Sequence, residues 1–317
     1  MIIFDADKLH KDPMVSVRII TYNHSNFIDE CLTSILNQKT NFDFEIVIGD
    51  DVSPDNTRDI LEAYQKKYPE QIKLVFNDVN LGSNKNIFNT NNNCSGKYVA
   101  WCDGDDYWTS ENKLQEQVDL LESRPEISLC FHNVSNVDSD SKPQGDFVNG
   151  LTSSKTIKGS ILFKIWYVAN SSVFFRNHHV NEKSPDFVWN GTHGDLIYYL
   201  LLEEIGTIYY MNKNMSTYRI HGESITATAY QGIKHNDLHI QQCRDLQDYF
   251  KEHYHHYINL RIEGYSLSNV QHHIREKNRR SALKLWFTLV KKRPAMLFSR
   301  FLTNSKIWAK LLISFFK

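Results

Sequence analysis

Between Met14 and Val134, short apolar runs alternate with amphipathic segments, and no other feature restricts the chain's architecture as much. Met14–Tyr22, Phe44–Ile48, Ile72–Phe76, Lys97–Cys102 and Ile127–Phe131 read as buried strands. Asn26–Asn37 carries Phe27, Ile28, Cys31, Leu32, Ile35 and Leu36 at helical spacing, and Thr57–Tyr68 carries Ile60, Leu61, Tyr64 and Tyr68 on one face. A polar loop and helix run to about Asn93, and Asn112–Ser123 is a further helix. Strands joined by helices of this length form βαβ units. The expected fold class is therefore α/β, a twisted, mostly parallel sheet flanked by helices. Right-handed crossovers bring the strand C-termini to one edge, where such sheets bind ligands. The polar clusters Tyr22-Asn23-His24, Asp50-Asp51, Asn77–Asn80 and Asp103–Asp106 all fall there, which points to a nucleotide-type site.

Asp103, Asp105 and Asp106 put three carboxylates within four residues, which repel unless a cation or hydrogen-bond donors compensate. Hard cations such as Mg²⁺ and Mn²⁺ take oxygen ligands and bridge to substrate phosphates. Gly104 permits a sharp turn beside a bulky ligand. An isolated cluster of this kind is more often a solvated acidic turn. After the apolar run Tyr98-Val99-Ala100-Trp101 and before Tyr107-Trp108, the metal site is the better expectation.

Further along, Gly145–Lys158 is polar and loop-like. Ser171–Arg176 and Thr207–Met211 look like strands, and Asp195–Ile205 like a helix closed by Gly206. Gln231–His256 and Arg261–Val290 look helical, Pro294 breaks the run, and two short segments finish the chain. Four segments, VRIITYN (Val17–Asn23), EIVIGDDVSPDNT (Glu45–Thr57), NLGSNKN (Asn80–Asn86) and GKYVAWCDGDDYW (Gly96–Trp108), resemble the successive motifs of the family 2 inverting glycosyltransferases of GT-A fold. The resemblance covers roughly residues 14–225 in order and spacing, and so is more specific than any single DxD.

The resemblance implies roles. Tyr22 and Asn23 line the nucleobase pocket, and Asp51 reads the nucleobase imide. Asn80, Gly82 and Asn86 form the loop that closes over the nucleotide. Asp103 lies near the ribose, and Asp105 holds Mn²⁺ or Mg²⁺, with Asp106 as a supporting or alternative ligand. Two positions depart from the pattern: Val52 stands where the family often has Gly, and Gly49 where it has an apolar residue. Inversion needs a base that deprotonates the acceptor. Asp195, after His193-Gly194 at a helix start, matches the family's position for it, although Gly-Asp alone is an ordinary helix cap. His193 is a candidate acceptor contact. Tyr218-Arg219-Ile220-His221 is similar to the family's late YRxH motif, with His221 completing the metal shell and Arg219 neutralising the leaving diphosphate. The implied substrates are a nucleotide-diphospho-sugar donor, UDP-sugar foremost, and a glycan or lipid-linked glycan acceptor, in the setting of bacterial surface polysaccharide synthesis.

Two rival functions fit these residues less well. A sugar-phosphate nucleotidyltransferase needs a Gly-rich basic loop after the first strand, and Thr21-Tyr22-Asn23-His24 stands there instead. A non-catalytic scaffold of the same fold has no need of every acidic position.

Charge divides the chain. After Glu276 there is no Asp or Glu, and residues 277–317 carry +11, leaving −12 on residues 1–276 against a net −1. A catalytic domain over 1–225 and a helical region over 226–317 are expected. The basic stretch interleaves Trp286, Phe298, Phe301, Trp308, Phe315 and Phe316. Such a segment either caps the catalytic domain or lies on an anionic membrane surface. No nucleic-acid module accompanies it, so no nucleic-acid partner is expected. Five scattered cysteines without a CxxC pair suggest buried thiols in a reducing compartment. No cleavable signal and no spanning apolar run are visible, so the expected location is the cytoplasm, with peripheral contact at the inner membrane face.

Overall fold

The computed structural model describes residues 1–5, 7–147, 151–163, 168–177, 184–191, 194–222, 232–250 and 252–292. The chain divides into two compact units, Met1–His221 and Gly222–Lys317.

The first unit is built on a ten-stranded sheet. Its strands are β1 (Ile2–Ile3), β2 (Val15–Thr21), β3 (Phe44–Asp50), β4 (Ile72–Phe76), β5 (Tyr98–Asp103), β6 (Ile127–Val137), β7 (Pro143–Asp146), β8 (Lys155–Ile157), β9 (Phe174–Arg176) and β10 (Thr207–Arg219). Its helices are α1 (Ile28–Leu36), α2 (Thr57–Lys67), α3 (Ser83–Asn91), α4 (Lys113–Ser123), α5 (Asp186–Asn190) and α6 (Gly194–Glu203). The strand order is β1-β4-β3-β2-β5-β9-β6-β10-β8, with β7 on β6. The run β4-β3-β2-β5 is parallel, as is the pair β6-β10, while β9 lies antiparallel between β5 and β6. The expected α/β class with a mostly parallel sheet is what the chain forms.

Val15, Val17 and Ile19 of β2 are fully buried with Ile28, Cys31, Leu32 and Ile35 of α1. Each aliphatic side chain so buried contributes about 1.5–3 kcal/mol. On the same strand Arg18 is also fully buried, so β2 carries one charged residue into the interior.

The largest difference from the expected elements is β10. The sequence expectation ends it at Met211; the polar Asn212-Lys213-Asn214 that follows is exposed. Instead it bulges between Met211 and Asn214 and resumes parallel pairing with β6 up to Arg219↔Val137. Pairing with a neighbour overrides weak local propensity here. The extension carries Arg219, and His221 just beyond it, to the edge where β2, β3 and β5 end. The stretch Gly145–Lys158, expected as loop, supplies the end of β7 and all of β8.

The second unit contains α7 (Ile233–Tyr249), α8 (Glu252–Arg275) and α9 (Arg279–Lys292). Its helices break at other points than expected. Residues 257–260 hold no Gly or Pro, and α8 runs straight through them. The turn comes instead at Lys277, whose φ of 59° ends α8, while the Asn278 N–H reaches back to the His273 carbonyl at 2.9 Å. Trp286, Leu289 and Ala282 of α9 are buried with Leu267 and Val270 of α8. Most of the expected membrane-contacting segment, residues 293–317, lies outside the described residues. No helix among the described residues is long and apolar enough to cross a membrane.

Candidate active site

The turn after β5 is held from both sides. The Gly104 N–H donates to the Ile20 carbonyl at 2.9 Å, and the Asp106 N–H to the Asp103 carbonyl at 3.0 Å. Gly104 is required by proximity: a Cβ there would stand 2.9 Å from His24 Nδ1 and 3.0 Å from Thr21 Cβ. The three carboxylates of the turn point to three different environments.

Asp105 faces two imidazoles. His221 Nε2 lies 3.0 Å from Asp105 Oδ2, and His24 Nε2 lies 3.8 Å from the same oxygen. One ligand atom from each of the three residues falls within 4.8 Å of the others, an arrangement able to hold a metal ion. Burial works against the Asp105 charge, but His24 and His221 outweigh it and hold the carboxyl below its ordinary value. Phe27 fixes the imidazoles, its ring centroid 4.9 Å from that of His221 and 6.4 Å from that of His24.

Asp103 faces inward. Its Oδ1 accepts from Arg18 Nη1 at 3.2 Å and its Oδ2 from Asn170 Nδ2 at 2.9 Å. Burial, and then the charge of Asp105, push its pKa up against the pull of Arg18.

Asp106 is buried, and its Oδ1 accepts the Arg219 backbone N–H at 2.8 Å. Burial and the neighbouring charge of Asp105 push it well above the carboxylate range. Asp106 therefore ties the turn to the end of β10 and does not join the His24–Asp105–His221 group. The Arg219 guanidinium is likewise committed: it donates to the carbonyls of Asp105 at 2.7 Å and Asp138 at 3.0 Å, pairs with Glu30, and covers the Phe27 ring at 4.8 Å. Both residues make these protein contacts at positions where ligand contacts were expected.

The residues expected on the nucleotide side gather at the ends of β2 and β3. Asp51 is buried and accepts from Asn77 Nδ2 at 2.9 Å, the Leu81 N–H at 2.8 Å and the Gly82 N–H at 2.8 Å. These bonds fasten the loop that leads into α3. Asn80 Nδ2 donates to the Asp51 carbonyl at 3.0 Å. Asn86 is buried, and its Nδ2 donates to the Gly49 carbonyl at 3.0 Å. The unexpected Gly49 has a packing reason, since a Cβ there would collide with Thr90 Oγ1 on α3. Tyr22 is 48% exposed, leaving its ring open at the edge. The Asn23 N–H donates to Ser53 Oγ at 3.0 Å. Val52 has φ 66°, a left-handed conformation that explains the Gly usual there.

Asp195 sits in the first turn of α6, where the helix N-terminus favours its charge. Its Oδ1 accepts the Leu196 N–H at 2.8 Å. The start of α6 lies against the first turn of α3, with Asn84 Nδ2 donating to the Gly191 carbonyl at 2.6 Å and Gly194 closely approached by Asn84. His193, the candidate acceptor contact, lies outside the described residues. Sequence reasoning missed His24 as a member of the group able to hold a metal ion, although it belongs to the polar cluster at the end of β2. It missed Arg18 and Asn170 entirely, because a charged residue inside a strand and an Asn in a short turn carry no signal of their own.

Residues 16–183 match the model of the glycosyl transferase family 2 domain. An uncharacterized protein of Mycobacterium tuberculosis (strain H37Rv), Rv1520, is 30% identical over 218 residues, covering 68% of this chain, and the match spans 61% of that relative's length. The teichuronic acid biosynthesis glycosyltransferase TuaG of Bacillus subtilis is 29% identical over 226 residues, covering 70% of this chain and 85% of TuaG. Among solved structures, Staphylococcus aureus TarS residues 1–349 in complex with UDP-GlcNAc superposes with a TM-score of 0.62 at 17% identity, covering 87% of this chain and 79% of TarS. It shares the fold. On the family match over more than half its length, the chain belongs to glycosyl transferase family 2.

Proposed function

We propose that the protein transfers a sugar, with inversion, from a nucleotide-diphospho-sugar to a glycan or lipid-linked glycan during bacterial surface polysaccharide synthesis. The observation that carries this is the meeting of His24, Asp105 and His221 at one strand edge, beside Asp103 and the loop held by Asp51. Family membership and the polysaccharide role in TuaG's name support it. A UDP-sugar is the favoured donor, because the fold is shared with TarS in its UDP-GlcNAc complex.

His24, Asp105 and His221 fit a divalent cation. Two imidazoles and one carboxylate suit Mn²⁺ better than Mg²⁺, which prefers all-oxygen sites. A cation held there supplies positive charge that stabilises the departing diphosphate. The open ring of Tyr22 receives the nucleobase. Asp51 accepts three of the roughly four bonds a carboxylate can take, which leaves one for a nucleobase N–H. Asp103, braced by Arg18 and Asn170, presents a fixed acceptor toward the ribose. Asp195 takes the proton from the acceptor hydroxyl as it attacks the anomeric carbon. Arg219 and Asp106 hold the turn and the end of β10 together, and His24 joins Asp105 and His221 as a candidate ligand.

The basic segment is proposed as a membrane-surface contact, the alternative being a cap on the catalytic domain. In α9 Phe287 is 58% exposed among Arg280, Lys284 and Lys291, whereas Trp286 serves the unit's own core. Sedimentation with anionic liposomes tests that contact.

The central test is UDP release from UDP-glucose and UDP-N-acetylglucosamine, and thermal stabilisation by UDP, each with and without Mn²⁺. Metal-dependent stabilisation and turnover are expected. No response to any nucleotide with or without metal would sink the proposal.

A further inference from the structure

Five residues from four elements close a ring under the candidate site. The Arg18 guanidinium of β2 lies 4.2 Å from the Trp101 ring of β5. Trp101 packs on Tyr199 of α6, with ring centroids 5.9 Å apart. The Tyr199 hydroxyl donates to Asn170 Oδ1 at 2.9 Å, and Asn170 Nδ2 donates to Asp103 Oδ2 at 2.9 Å. Asp103 Oδ1 returns to Arg18 Nη1 at 3.2 Å. Arg18, Trp101 and Tyr199 are fully buried, so no ligand reaches them.

From Tyr199 through Asn170 to Asp103 the donors run in one direction, and Arg18 donates to Asp103 from the other side. A hydroxyl donates to an amide oxygen, and the same amide's N–H donates to a carboxylate. This fixes the Asn170 side chain in a single orientation, since the flipped amide would present N–H to Tyr199 and oxygen to Asp103. The ring also spans the two halves of the proposed chemistry. Asp103 stands on the donor side, at the end of β5. Tyr199 stands one helical turn after Asp195 on α6 and feels its charge. Trp101 is further anchored to α3 by its Nε1, which donates to Asn91 Oδ1 at 3.2 Å.

We propose that Tyr199 and Asn170 are positioning residues that lock the first turn of α6, and with it Asp195, in register with Asp103 on the donor side. This rests on the transferase proposal above. Helix α6 packs mainly through buried apolar side chains, and its last residue, Glu203, accepts the Gly159 N–H at 2.7 Å. The Tyr199–Asn170–Asp103 chain supplies a directional contact between the helix and the donor side. A base misplaced by about 1 Å costs rate rather than affinity, of the order of 10²-fold in demanding cases.

The test uses the full chain with UDP-glucose or UDP-N-acetylglucosamine and Mn²⁺, reading UDP release, UDP affinity and melting temperature. Tyr199→Phe keeps the ring on Trp101 and removes only the hydroxyl. The expected result is a fall in kcat of about tenfold or more, with donor KM and UDP affinity within about twofold of the parent. Asn170→Ala should lower kcat at least as much, with a smaller loss of UDP affinity because Asp103 keeps its Arg18 contact, and the double variant should be no slower than Asn170→Ala alone, because Tyr199 acts through Asn170. Effects that multiply in the double variant overturn the inference. So does an unchanged kcat, or a loss of kcat matched by an equal loss of nucleotide affinity or folded protein. Should Tyr199→Phe fail to fold, the kcat-against-KM split in Asn170→Ala decides alone. A parent protein that binds no nucleotide and releases no UDP removes the transferase proposal, and this inference with it. A parent that turns over normally while both variants match it removes only this inference.

Discussion

His221 and Asp105 lie 116 positions apart in the chain, yet His221 Nε2 and Asp105 Oδ2 stand 3.0 Å apart. Two features bring them together. Strand β10 stays paired to β6 through Arg219, past a polar stretch that would otherwise leave the sheet. Asp106, directly after Asp105, accepts the Arg219 N–H and so ties the acidic turn to the strand that delivers His221. One carboxylate of the turn is used to build, and its neighbour is left to bind.

This division predicts opposite outcomes for adjacent substitutions. Asp105→Asn, His24→Ala and His221→Ala should each weaken Mn²⁺-dependent UDP binding by at least about tenfold, since each removes one of three ligand groups. Asp106→Asn keeps an oxygen for the Arg219 N–H and should leave Mn²⁺ affinity within about threefold. Calorimetric titration of UDP at fixed Mn²⁺ separates the two. Loss of metal dependence in Asp106→Asn, with retention in His24→Ala, would reverse the assignment.

Asp195→Asn should lower the rate of sugar transfer by about 10³-fold or more while leaving UDP binding unchanged. A general base contributes typically 10²–10⁴-fold. The amide keeps the Leu196 N–H contact made by Asp195 Oδ1, so the helix start should survive the change. Near-parental turnover in this variant would mean that another group removes the acceptor proton.

Much of this site was legible in the sequence because parallel α/β sheets place strand ends together, so that Asp51, Asp103 and Asp105 had to converge once the strands were recognised. The helix start at Asp195 was legible for a similar reason, as a polar cap before an apolar run. What stayed hidden depends on contacts between distant residues. His24 joined the metal group only when β10 delivered His221 opposite it. Arg219 looked like a free cation because nothing in its own segment announces Glu30 as its partner. Arg18 in a buried strand has no local meaning, and its function becomes visible only when Asp103 and Trp101 are placed around it.

Val52 holds φ 66°, where a β-branched side chain is strained, by of the order of 1–3 kcal/mol. Glycine relieves that strain at a smaller cost in unfolded-chain freedom, about 0.5–1 kcal/mol. Val52→Gly should therefore leave stability unchanged or raise it by about 1 kcal/mol, measured by urea unfolding. Loss of more than about 1 kcal/mol would show that the Val52 side chain makes contacts worth more than the strain.

Lys113 gives the fold a distinctive pH dependence. The residue is fully buried; its Nζ donates to Gln117 Oε1 at 2.7 Å and lies 4.1 Å from the Trp108 ring. Burial brings its pKa down to about 7, although the sulfurs of Cys102 and Cys130 pull the other way. In the unfolded chain a lysine titrates near 10.4. Between these values the unfolded chain binds a proton that the folded chain does not, so this group makes stability rise with pH across the window. Below about pH 7 both states carry the proton and the full burial cost is felt. Lys113→Met removes the group while keeping most of its volume. The variant's stability relative to the parent should be most favourable near pH 6.5, and that advantage should shrink by about 3 kcal/mol on going to pH 9.5. The buried cysteines oppose this trend in the parent, because unfolding frees their thiols to ionise at alkaline pH. They are present in both proteins and cancel in the difference. Urea unfolding of both at the two pH values reads that difference directly, and parallel pH profiles would mean that Lys113 titrates as an ordinary lysine.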